Sequence, residues 1–252
     1  SLFALAARLG IEHTYEDARR ACEGAELIIL ATPIGVFEEL CRRVLPAIGK
    51  EALVTDVGSV KAYVHRTTGA LLTDRKRHFI GSHPMAGAEK QGLEHATPDL
   101  LSQATVVLTN PHQVPEALAE RLRLFWEALS CHTYRMAPES HDRTVARISH
   151  MPHIVAGLAA RNAMVGNTAP EDLQRLASSG YRDTTRVSSG SATMWADILW
   201  ENDVAVREIL HRCVEDLHYL VNLLENQDKP GVQAWLEQAK TTRETILKIP
   251  PQ

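Results

Sequence analysis

The sequence predicts an α/β domain built on a mostly parallel sheet, followed by an all-α half. Three observations carry this expectation. Up to residue 137, short apolar runs alternate with helix-like stretches. Beyond Pro138 the apolar residues recur at helical spacing, and few strand-like runs remain. The 252-residue length suits between one and two domains of about 150 residues each.

Leu27-Ile28-Ile29-Leu30-Ala31 is the first near-continuous apolar run, the pattern of a strand buried on both faces. Similar runs follow at Ala52–Val57, His78–Gly81 and Thr105–Thr109, with helical patterns at Val36–Ile48 and Val60–Leu72 between them. Strand, helix, strand at this spacing reads as β-α-β units. Ligands on such sheets bind beyond the carboxyl ends of the strands. That rule directs attention to Thr32-Pro33, to Asp56–Lys61 and to Ser82–Glu89. In the second half, Glu139–Gly166 and Thr193–Asn226 carry long apolar faces, from Ile198 and Leu199 through Val206, Leu210 and Leu217 to Leu224. A helical half this short has little core of its own, so dimerisation through these faces is expected. The tail from Lys248 is expected to fray.

Composition excludes several classes. Hydrophobic residues make up 44% and charged residues 23%, ordinary globular usage rather than that of a disordered chain. The formal charge is −4 with no Lys/Arg cluster, which argues against nucleic acid as a partner. No apolar run is long enough for a membrane span, and no signal-peptide pattern opens the chain. Cys22, Cys41, Cys131 and Cys213 are widely spaced without a C-x-x-C pair, which predicts a reduced, cytoplasmic protein. Twelve histidines against four phenylalanines point to polar chemistry.

Four clusters place small and polar residues at the ends of predicted elements. In Thr55-Asp56-Val57-Gly58-Ser59-Val60-Lys61 a strand stops, a glycine turns, and Ser59 can cap the next helix. Ser82-His83-Pro84-Met85-Ala86-Gly87 sets a histidine just past a strand. Ser149-His150-Met151-Pro152-His153 interrupts a helix with proline, which predicts a kink. Its histidines are three apart, as metal ligands can be, yet neither an H-E-x-x-H pattern nor the nearby His141-Asp142 pair completes a ligand set, so no metal is expected. The last cluster, Ser179-Gly180-Tyr181-Arg182-Asp183-Thr184-Thr185-Arg186, offers arginine for a carboxylate, and Met194-Trp195 downstream suggests an aromatic wall. A capping turn, a structural histidine and solvated ion pairs would each explain one cluster taken alone.

Taken in order, these motifs resemble the prephenate/arogenate dehydrogenases of tyrosine biosynthesis, along essentially the whole chain. The resemblance implies a Rossmann-like dinucleotide-binding domain over residues 1–137 and an all-α substrate-binding and dimerisation domain over 138–252. It implies NAD or NADP as cofactor, contacted by Ala31, Thr32, Pro33, Asp56 and Ser59. His83 would accept a hydrogen bond from the substrate hydroxyl, oriented by Ser59. Substrate would be bound by Arg186, His153, Ser149, Trp195 and Gly180, with Glu89 and Asp183 holding Arg186 in an ion network. The family's opening strand, G-x-G-x-x-G turn, helix and second strand have no counterpart here, so the α/β domain is expected to be incomplete at its N-terminus. Ala88 stands where the family often has threonine, and Ser179-Gly180-Tyr181 where it has Gly-Gly-Phe. NAD against NADP, prephenate against arogenate, and inhibition by tyrosine stay open. Two competing readings remain: a 3-hydroxy acid dehydrogenase of similar layout, which would need a catalytic lysine motif in the helical half, and a cofactor-free binding module.

Overall fold

The computed structural model describes residues 2–87 and 92–248. By its internal contacts the chain forms two compact units, Ser1–Asp203 and Val204–Gln252. The first opens with helices α1 (Leu2–Arg8) and α2 (Ala18–Cys22), then alternates β1 (Leu27–Leu30), α3 (Phe37–Val44) and β2 (Leu53–Asp56). Helix α4 (Ala62–Val64) passes through a π-helical turn at His65–Gly69 into α5 (Ala70–Asp74). Then come β3 (His78–Phe79), β4 (Gly81–Pro84), β5 (Thr105–Thr109), α6 (Glu116–Ala128) and β6 (His132–Arg135). Helices α7 (Pro138–Val145), α8 (Met151–Asn162), α9 (Pro170–Leu176), α10 (Ser179–Thr185) and α11 (Ala192–Glu201) complete the unit.

Strands β1, β2 and β3 pair in parallel, with Leu27 opposite Leu53 and Leu53 opposite His78. After Ile80 the same strand path continues as β4, which pairs antiparallel with β5, while β5 and β6 are parallel. The strands thus form two three-stranded sheets, β1-β2-β3 all parallel and β4-β5-β6 mixed, and pairing is mostly parallel as the sequence suggested. Successive residues point to opposite faces. Val54 and Phe79 enter one core with Leu30, Phe37 and Cys41, whereas Leu53 and Ile80 enter the other with Val106, Leu122 and Trp126. Two buried faces explain why these strands read as unbroken apolar runs. Polar β6 gave no such signal, and its residues are largely exposed.

Local chemistry sets the helix ends. Asp17 accepts the Arg19 N–H at the start of α2, and Ser191 accepts the Met194 N–H at the start of α11. Helix α3 buries Phe37, Cys41 and Val44 at i, i+4, i+7, and its outer face carries a Glu38–Arg42 pair. The kink expected at Pro152 is a π-helical turn over Ala146–His150, which absorbs the missing donor just before α8.

Helices α12 (Asp203–Glu225) and α13 (Lys229–Lys248) make up nearly all of the second unit. Asp228 Oδ1 accepts the Gly231 N–H in the turn between them. A Cβ at Gly231 would meet Asp228 Oδ2 and, at 2.7 Å, Leu223 Cδ2, so a larger residue there would have to move those side chains. Val214, Leu217, Leu224, Leu236 and Ile246 are each about half exposed or more. No helix among the described residues is long and apolar enough to cross a membrane.

Gly81 marks the tightest packing beside the site. An added Cβ would lie 2.5 Å from Thr109 Oγ1 and 2.9 Å from His65 Nε2 in the buried sheet. Gly81→Ala is expected to cost about 1–3 kcal/mol by overpacking, read as a lower urea midpoint with unchanged slope. An unchanged midpoint would mean that this packing is looser than the structure shows.

Candidate active site

The loop after β2 is shaped by one carboxylate. Asp56 Oδ2 accepts the Gly58 N–H at 2.9 Å, closing a short turn, and also takes the ammonium of Lys61. A Cβ at Gly58 would lie 2.9 Å from that oxygen and 3.0 Å from Ile34, so the turn admits only glycine without rearrangement. Asp56 and Lys61 are both fully buried. Burial pushes the Asp56 carboxyl up and the Lys61 amine down, and each group's charge pulls the other back.

The pair reaches across to β4. Asp56 Oδ1 accepts the Ser82 N–H at 3.1 Å, and Lys61 Nζ donates to the Ser82 carbonyl at 2.7 Å. Ser82 Oγ lies 2.7 Å from Thr55 Oγ1 and accepts from Trp126 Nε1 at 3.1 Å. Every polar group of Ser82 is thereby held, and the next residue is His83.

His83 Nδ1 lies 2.8 Å from His141 Nε2, and His141 Nδ1 lies 2.7 Å from Asp142 Oδ1. Asp142 in turn accepts the backbone N–H groups of Lys61 (Oδ1, 2.8 Å) and Ala62 (Oδ2, 2.9 Å) at the start of α4. Asn202, in the break between α11 and α12, donates to the Asp142 carbonyl at 2.9 Å and sits 3.2 Å from His150 Nδ1. His150 meets Trp195 edge-on, and His153 stacks on the same indole with centroids 3.6 Å apart. A continuous line of contacts, through the Asp142 carbonyl, therefore runs from His83 to His153. His83, His141 and His150 are all buried, with burial the largest cause lowering His83 well below the usual histidine range, helped by the neighbouring His141, Lys61 and His150. Burial likewise takes His150 to about 4, despite the opposing Asp142 charge, and takes His65 to about 3.

A cleft of about 450 Å³ opens at the carboxyl ends of β1 and β2. Of the sequence-predicted cofactor residues, Ala31, Thr32, Pro33 and Ser59 line it, joined by Gly58 and, from α11, Met194 and Asp197. Asp56 does not. Its two oxygens are consumed by Gly58, Lys61 and Ser82 in the interior, so its role is structural and the assignment as a cofactor contact is corrected. Ser59 is half-buried in the cleft wall, and the partner that holds His83 is His141 rather than Ser59. Ser149 is half-buried on the π-helical turn. Gly180 and Asp183 are exposed on α10, Arg186 is exposed in the turn that follows, and both elements pack against α8, the helix that carries His153. Glu89 lies outside the described residues. Sequence reasoning passed over His141, Asp142 and Asn202. The adjacent His141-Asp142 pair was visible, and its partners lie 58 and 81 positions away.

The buried histidines make stability depend on acid. Folded, His65, His83 and His150 stay neutral below the point, about pH 6.5, where the unfolded chain takes up their protons. The unfolded state then binds more protons, so stability falls as pH falls from about 6.5 towards 4, by up to about 1.4 kcal/mol per pH unit for each. Urea unfolding at pH 7.5 and pH 5 should show a loss of several kcal/mol, and equal stability at both would contradict neutral burial.

Comparison with known proteins places this geometry. Residues 2–135 match the family model described as prephenate dehydrogenase, nucleotide-binding domain, and residues 137–238 match prephenate dehydrogenase, dimerization domain. Prephenate dehydrogenase of Bacillus subtilis is 31% identical over 88% of this chain, which spans 60% of that relative's length. The crystal structure of A. aeolicus prephenate dehydrogenase in complex with hydroxyphenyl propionate and NAD+ superposes with a TM-score of 0.86 at 29% identity, covering 96% of this chain and 85% of that one. Synechocystis arogenate dehydrogenase gives 0.80 at 32% identity, over 96% of this chain and 86% of that one. With both domain models matched in order along the residues that build the cleft and the histidine line, the chain belongs to the prephenate dehydrogenase family.

Proposed function

We propose that this protein catalyses the NAD(P)-dependent oxidative decarboxylation of prephenate, or of its amino counterpart arogenate. The observation that carries the reading is a buried, neutral His83 on β4, held in place through His141 and tied through Ser82, Asp56 and Gly58 to the loop that lines the cleft. The family relationship supplies the substrate class.

The residues at the cleft fit the nicotinamide end of a dinucleotide. Ala31, Thr32, Pro33, Gly58 and Ser59 are small, and the Asp56–Gly58 hydrogen bond fixes the turn that would help hold the cofactor. A bound nicotinamide would supply the acceptor for the hydride that leaves C4 of the substrate. His83 takes the hydrogen bond of the C4 hydroxyl and holds its proton while the carbon–oxygen bond gains carbonyl character. The ring carboxylate leaves as CO2, its electron pair aromatises the ring, and the proton returns to the phenol oxygen. Aromatisation drives the reaction, so positioning is the protein's main contribution. Arg186 is assigned to a substrate carboxylate through a planar bidentate pair, within an ion network with Glu89 and Asp183. Ser149, His153, Gly180 and Trp195 are assigned to the substrate pocket and Ser59 to the nicotinamide, with residues 1–137 and 138–252 as the working domains.

The protein is proposed to act as a homodimer through its helical part. The match to the family's dimerization domain and the exposed apolar residues of α12 and α13 support this.

His83→Asn and Arg186→Lys separate chemistry from binding in steady-state assays of the intact protein with prephenate and with arogenate. His83→Asn should lower kcat roughly 100-fold or more with little change in cofactor affinity. Arg186→Lys should raise the substrate KM about 10- to 1,000-fold and leave the cofactor KM unchanged. Near wild-type kcat in the first variant, or equal losses for both ligands in the second, would remove these roles.

A further inference from the structure

We propose that His141 and Asp142 are positioning residues that fix the tautomer of His83 and so leave its Nε2 free to accept a proton. The inference rests on the reading of His83 as the proton acceptor, and it is drawn from hydrogen-bond direction. An ionised carboxylate has no hydrogen to give. Asp142 receives the N–H groups of Lys61 and Ala62, so the close contact to His141 must be donated by His141 Nδ1–H. A neutral imidazole protonated at Nδ1 keeps its lone pair at Nε2. That lone pair faces His83 Nδ1 at 2.8 Å, between two rings that are 9% and 1% exposed. Two lone pairs cannot face each other at that distance, and no water fits between them. His83 Nδ1 must therefore carry the hydrogen, and His83 Nε2 is the unprotonated nitrogen.

The arrangement is braced at both ends. Asp142 is anchored to the backbone at the start of α4, immediately beside the Lys61 side chain that grips Asp56 and Ser82, and Asn202 holds its carbonyl. His83, the adjacent residue to Ser82, is thus fixed along its strand by one set of contacts and about its ring by another. When Nε2 takes the substrate's hydroxyl proton, the imidazolium formed donates through Nδ1 to His141, which donates to Asp142, and the carboxylate balances the charge until the proton returns to the product oxygen. The groups facing His83 are His141, Lys61 and His150. Of these only Lys61 is a cation, already paired with Asp56, so Asp142 is the carboxylate in line with the imidazolium formed. A protonated His141 would reverse the direction, donating at both nitrogens and turning His83 Nε2 into a donor.

Long-range proton–nitrogen NMR on the 15N-labelled intact protein reads the tautomer directly, with His83 assigned by the signal lost in His83→Asn. At pH 7.5 the expected state is Nδ1–H with an unprotonated Nε2. His141→Phe should abolish that single fixed tautomer and lower kcat roughly 10- to 100-fold, with substrate KM and cofactor Kd held within about three-fold. His141→Gln, whose amide oxygen can take the same hydrogen, should recover part of the rate. An Nε2–H tautomer in the wild-type protein, or His141→Phe within about two-fold of wild-type kcat, would overturn the proposal. The spectrum requires no turnover. Absence of activity on prephenate and arogenate would therefore sink the proposed function alone, and if His141→Phe does not fold, the wild-type spectrum decides.

Discussion

The ladder between β2 and β3 ends at Val54 and Phe79, and beyond it the gap between β2 and β4 is bridged by a carboxylate and an ammonium. Asp56 supplies the acceptor that Ser82 N–H would otherwise lack, and Lys61 supplies the donor for its carbonyl. An ion pair with no solvent contact is expensive to bury, and it persists only where surrounding hydrogen bonds take up the remaining polar atoms. Here they do. The Gly58 and Ser82 N–H groups and the Ser82 carbonyl complete the set, so the pair gives up solvation and in return fixes the path of two chain segments.

Both segments serve the site. The Asp56–Lys61 turn forms one wall of the cleft through Gly58 and Ser59, and β4 delivers His83 one residue after Ser82. The same turn begins α4, whose first N–H groups bind Asp142 and so tie it to the helical residues 138–203. Cleft wall, histidine and orienting carboxylate therefore share a single buried anchor. A displacement of Lys61 would be felt at all three, which is the sense in which the fold positions the chemistry.

The apolar strands were readable because burial on two faces leaves no polar alternation to mislead, as Leu53 and Val54 illustrate by entering different cores. Polar β6 and the antiparallel pairing of β4 with β5 left no comparable pattern. The rule that ligands bind at strand ends on such sheets pointed to His83 and to Ala31, Thr32, Pro33 and Ser59, the last four of which line the cleft. Asp56 was misread for the same reason, since position in sequence cannot show which way a strand's last side chain turns. His141 and Asp142 were in plain view as a dipeptide. Their meaning depends on contacts 58 and 81 residues away, which no local spacing encodes. Asn202 lies inside a stretch of helically spaced apolar residues, and the break in the helix there lets it hold Asp142 and His150.

A double-mutant cycle on the anchor tests this account most directly, with Asp56→Asn, Lys61→Met and the pair compared by urea unfolding. Removing one partner strands the other in the interior, so Lys61→Met alone should cost about 3–5 kcal/mol. With Asp56→Asn already in place no charge is left behind, and the double variant should lose at least about 2 kcal/mol less than the sum of the two single losses. Losses that simply add, to within about 0.5 kcal/mol, would show that the two side chains are not coupled and that something else holds β2, β4 and His83 in place.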